Sequence, residues 1–92
     1  MISPEKIRDI RKRSGLTQVE MGRTLDVRQA TISAWENGRQ SPTKAYEAAL
    51  RQWDRRLREM SRKDWKSFGR EILSLAVAAG LLAAMRKIFG SE

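Results

Sequence analysis

Between Gln18 and Asn37 the small and apolar residues fall at Met21, Gly22, Leu25, Val27, Ile32 and Trp35. Two short helices joined by a three- or four-residue turn require this spacing. Gly22 would let the second helix of the pair cross close over the first, with Leu25, Val27, Ile32 and Trp35 filling the angle between them. The second helix is then held out from the body with its other face free. That face carries Arg28, Gln29, Ala30, Thr31, Ser33 and Ala34, side chains small or polar enough to enter a major groove. A helix that only packed a core would have no use for it.

The flanking sequence extends the pattern into an all-α fold, because nothing along the chain reads as a strand. Ser3-Pro4-Glu5 predicts a helix start, with Pro4 at the first helical position and Glu5 at the positive end of the dipole. Ile7 and Ile10 give that helix a buried face, and Ser14-Gly15 stops it. Thr17-Gln18-Val19-Glu20 is a capping box that opens the next helix. Asp26-Val27 makes the turn, and Asn37-Gly38 closes the third helix. Ser41-Pro42 predicts the start of a fourth, whose apolar residues from Tyr46 through Trp53 to Met60 keep three-and-four spacing.

Charge narrows the partner. The 92 residues carry a net charge of +8, with 13 basic against 8 acidic residues up to position 60 and 6 against 3 beyond it. Such an excess suits a polyanion, either nucleic acid or an anionic membrane surface. Cysteine and histidine are both absent, which excludes disulfides, thiolate chemistry and ordinary zinc sites. No cofactor, metal or catalytic constellation is expected, and a cytoplasmic location fits. The N-terminus has no apolar run of the signal-peptide kind.

The stretch "RSGLTQVEMGRTLDVRQATISAWENGRQSP" resembles the lambda-repressor-like helix-turn-helix family, the Cro/repressor or XRE type. The resemblance covers about residues 5–50 and rests on G-L-T-Q, L-x-V and T-I-S-x-W-E-N-G in order. It implies a helix-turn-helix motif over 18–37 with a recognition helix at 28–36. Gln29 would then read a base edge, with Arg28, Ala30, Ser33 and Ala34 lining the same groove. Thr17 and Gln18, at the start of the second helix, would bind a backbone phosphate. Asn37, Arg39 and Lys44 would clamp phosphates beyond the third helix, and Arg11–Glu36 would be a structural ion pair. Two positions depart from the family pattern. Asp26 stands where Gly is usual, and Arg28 stands where a Ser or Thr cap is usual.

Residues beyond 60 lie outside the resemblance. Ser61-Arg62-Lys63-Asp64 is a further capping-box candidate, and a single long helix over 62–89 is expected after it. Trp65, Phe68, Ile72, Leu75, Ala79 and Leu82 fall on a heptad seam. Leu73, Val77, Leu81, Ala84 and Ile88 add a second apolar stripe. A helix apolar on nearly all sides must be covered by protein or lipid. The uninterrupted run Ile72–Met85 has 14 residues, roughly 21 Å against about 30 Å of bilayer hydrocarbon. Docking back onto the body is an alternative, but a 60-residue body that closes its own core offers little spare apolar surface, so oligomerisation through the seam is the preferred reading.

The sequence therefore predicts a 1–60 DNA-binding domain followed by a 61–92 oligomerisation helix. The expected function is a dimeric double-stranded-DNA-binding regulator, a repressor on a palindromic operator. An antitoxin-type module whose C-terminal helix binds a toxin, and a membrane-tethered regulator, are the alternatives.

Overall fold

A computed structural model describes residues 1–90 as six helices, with no strand among them. They are α1 (Pro4–Arg13), α2 (Gln18–Leu25), α3 (Gln29–Glu36), α4 (Lys44–Arg58), α5 (Arg62–Ala79) and α6 (Leu81–Phe89). Ser91 and Glu92, the end of the expected 61–92 segment, lie outside the described residues.

Local signals set the first three helices. The Ser3 hydroxyl accepts the Lys6 N–H at 3.0 Å, with Pro4 in the first turn and three basic residues in the last. Thr17 and Glu20 close their capping box in both directions, at 3.1 and 3.0 Å. Asp26 ends α2 in the left-handed region at φ 58°, so this carboxylate residue adopts the conformation that glycine usually supplies. Arg28 is the N-cap of α3 and makes no side-chain capping bond. A Cβ at Gly22 would meet the Val27 carbonyl oxygen at 2.6 Å, so any larger residue would push α3 off α2.

Two boundaries differ from the sequence reading. Helix α4 begins at Lys44 with Thr43 as its N-cap, leaving Ser41-Pro42 in the connection. Ser61 is the N-cap of α5, but its hydroxyl donates to the Asp64 carboxylate at 3.1 Å and no capping box forms.

The larger correction concerns the C-terminal segment. It is not one long helix: Gly80, at φ 90° and ψ 179°, breaks it into α5 and α6. The two helices fold against each other as a hairpin, and α6 reaches back to α4 and α2 while α5 packs on α2. Glu71 and Lys87 pair across the hairpin at 3.2 Å. Phe68, Ile72, Ala84 and Ile88 enter the same core as Ile10, Met21, Leu25, Ile32, Trp53 and Leu57. The Trp65 indole N–H donates to the Leu57 carbonyl at 2.8 Å and ties the start of α5 to the end of α4. The body therefore does not close its core by itself. Its fourth wall is the hairpin.

Of the residues on the expected oligomer seam, Phe68 and Ile72 are buried within the chain, Trp65 and Leu75 are half-buried, and Ala79 and Leu82 are exposed. A 3.6-residue period repeats through both helices, but the pattern cannot register a one-residue reversal between them. No helix among the described residues is long and apolar enough to cross a membrane.

Candidate nucleic-acid interface

Helix α3 is amphipathic in the sense its sequence suggests. Ile32, Trp35 and Glu36 face inward, while Gln29 and Ala30 are exposed and Thr31, Ser33 and Ala34 are half-buried at the rim. Arg28 is exposed at the head of the helix, one residue before its first turn. The five expected base-contacting residues, Arg28, Gln29, Ala30, Ser33 and Ala34, thus share one accessible side of a short, rigidly seated helix.

A polar network fixes that helix from beneath. Glu36, whose side chain is only 1% exposed, accepts from Arg11 Nε at 2.6 Å and from Arg11 Nη2 at 2.9 Å. This two-pronged pairing joins α1 to α3, and charge-assisted bonds of this geometry are among the strongest in proteins. Burial alone would raise the Glu36 pKa. The bonds from Arg11 and Gln18, with the charges of Arg11 and Arg8, outweigh it and hold the carboxyl below the usual carboxylate range. Gln18 Nε2 donates to Glu36 Oε1 at 3.1 Å, and Gln29 Nε2 donates to Gln18 Oε1 at 2.6 Å. The base-reading candidate is therefore linked through one intermediary, Gln18, to a buried ion pair. Arg8, which the sequence reading passed over, donates to the Glu36 carbonyl at 3.1 Å and helps to close the C-terminus of α3. Its signal was its place three residues before Arg11 on the same face of α1.

The expected phosphate contacts divide into two groups. Thr17 and Gln18 stand at the N-terminus of α2, where uncancelled N–H groups favour an anion. The Thr17 hydroxyl already accepts the Glu20 N–H and so keeps only its own proton to donate. Glu20 puts a negative charge at this end, and Arg70 from α5 offsets it with a bond of 2.8 Å. The Thr17 N–H and the Arg70 guanidinium hold the half-buried Glu20 carboxyl below its ordinary pKa. At the far end of α3, Asn37, Arg39 and Lys44 are all exposed. Asn37 Nδ2 donates to Ser33 Oγ at 3.3 Å, and neither Arg39 nor Lys44 makes an ion pair among the described residues.

An outward helix on a closely crossed partner, with cations at its end, defines a helix-turn-helix DNA-binding domain. Residues 7–46 match the helix-turn-helix family model, and this segment is an XRE-type, lambda-repressor-like helix-turn-helix domain. Domains of this family are DNA-binding regulators and not normally enzymes. Helices α5 and α6 lie beyond the match. No curated protein and no solved structure matches the chain.

Proposed function

We propose that this chain is a sequence-specific transcriptional regulator, a cytoplasmic repressor that occupies a palindromic operator as a homodimer. The observation that carries the reading is the seating of Gln29. Its amide is held at the root of α3 by Gln18, while the rest of that face is open to a groove. A glutamine so placed is suited to pair with adenine N6 and N7. Asn37, Arg39 and Lys44 at one end, and Thr17 with Gln18 at the other, supply phosphate contacts that set the docking register.

With Phe68 and Ile72 inside the chain's own core, contact between two copies falls to Ala79 and Leu82, joined by the exposed Val77 on the same hairpin. Selection of bound duplexes from a random pool tests the whole proposal. It should enrich two inverted half-sites about 10 base pairs apart, centre to centre, or a multiple of that spacing. On the selected site Gln29→Ala should cost about 1–3 kcal/mol and relax preference at one base pair per half-site. A uniform loss on all sequences would make Gln29 a positioning residue. A single half-site, with a monomer in light scattering, would remove the dimer.

A further inference from the structure

Away from α3, the end of α1 and the start of α5 enclose an open cleft of about 490 Å³. It is lined by Lys12, Arg13, Arg62, Lys63, Trp65 and Lys66, five cations around one indole and no carboxylate. Arg13 and Arg62 lie over the Trp65 ring, at 5.4 and 5.6 Å from its centroid. Arg13 is neutralised by Asp54 and Asp9. Lys12, Arg62, Lys63 and Lys66 make no ion pair among the described residues. With no carboxylate in the lining, four like charges gathered around one cleft raise the folding cost unless an anion joins them.

The cleft's position points to the source of that anion. The Lys66 side chain runs past Gly15, 3.0 Å from where a Cβ would stand, and Gly15 is two residues before Thr17. The basic rim is therefore continuous with the N-terminus of α2, the end of the helix-turn-helix expected to meet a phosphate. Duplex DNA offers a phosphate every ~3.4 Å of rise on each strand, a density that several clustered cations can match.

We propose that this cleft is a second phosphate site, which holds the DNA backbone outside the stretch that α3 faces. The proposal rests on the DNA-binding reading for the source of the phosphate, but the cleft's affinity for phosphate can be measured without it. The test compares Arg62→Gln/Lys66→Gln with the charge-matched Arg55→Gln/Arg86→Gln, whose exposed arginines lie outside the cleft. Glutamine keeps part of the stem that packs and removes only the charge.

Binding to a random-sequence 24-base-pair duplex is followed as salt rises from 50 to 200 mM. The cleft variant should lower the log–log salt slope by about two relative to wild type, a roughly tenfold smaller loss of affinity over that range. The control should leave the slope close to wild type. Equal slopes for the two variants would overturn the proposal while leaving DNA binding intact. Calorimetry with sodium tripolyphosphate separates the two readings. If wild type ignores the duplex but binds tripolyphosphate, and the cleft variant does not, the site stands and takes a free phosphorylated ligand. If wild type binds neither, there is no site.

Discussion

Helices α1–α3 and the α5–α6 hairpin are held in place by different kinds of contact. In the first region direction comes from polar groups: the Ser3 cap, the Thr17–Glu20 box and the Arg11–Glu36 pair each fix one helix end or one crossing. In the second, neither helix has a side-chain capping bond, and placement rests chiefly on apolar packing. One ion pair joins the two helices, and two polar ties, Trp65 to Leu57 and Arg70 to Glu20, run from α5 to the body. Polar contacts demand particular residue types at particular offsets. Apolar packing accepts many arrangements of the same residues, so a uniformly apolar segment fits several partners equally well until one backbone joint decides among them.

The largest effect that could break this contrast is truncation after Met60. It removes Phe68, Ile72 and Ile88, all buried against the body. Each such side chain contributes about 1.5–3 kcal/mol, so the loss approaches the whole 5–15 kcal/mol that typically separates folded from unfolded domains. Residues 1–60 alone should show no cooperative thermal transition by circular dichroism. A melt like that of the full chain would make the hairpin an accessory and the body self-sufficient.

Next in size is Arg11→Ala, which strands a buried carboxylate and should cost about 3–5 kcal/mol in urea unfolding. A loss below about 1 kcal/mol would mean that Arg8 and Gln18 suffice for Glu36. Gly80→Ala should be milder. A Cβ there meets nothing within 4 Å, so the penalty is the backbone conformation alone, about 1–3 kcal/mol for a region that side-chain-bearing residues avoid. If stability were unchanged, the hairpin turn would not depend on glycine.

The mildest test is acid. Burial pushes the Asp54 carboxyl up, but the bond from Arg13 and the charges of Lys6, Arg13 and Arg58 bring it net below its ordinary value, as happens at Glu36. Carboxyls depressed in the folded state stabilise it above their unfolded pKa, and that contribution disappears as pH falls through the folded value. Stability should be level near neutrality and decline below about pH 4. Glu36→Gln and Asp54→Asn should each flatten the decline.

Most of the body was legible because its signals are local. Ser3, Thr17 and Glu20 announce helix starts, and Met21, Leu25, Ile32 and Trp35 can face inward together in only one crossing. Arg11 and Glu36 pair at 2.6 Å across 25 residues of sequence. Arg70 was missed because its partner, Glu20, is 50 residues away and no local pattern encodes that distance, whereas Arg8 was passed over although it stands one turn before Arg11 on the same face. The hairpin was misread for a different reason. Gly80, spaced four residues from Ala76 and from Ala84, fits the small-residue face of a straight helix as well as it fits a turn, and only the surface waiting on α2 and α4 selects the turn.

The relay beneath α3 also has a polarity. An ionised carboxylate can only accept, so Gln18 must turn its amino group toward Glu36 and its oxygen toward Gln29. Gln29 must then answer with its own amino group, and its oxygen is left facing out beside one spare N–H. A buried charge two hydrogen bonds away thereby chooses which atom of an amide stands at the surface. An uncharged amide at position 36 would offer no such instruction, and the two glutamines could turn over together. The protein would keep its shape and lose the sense in which its surface is written.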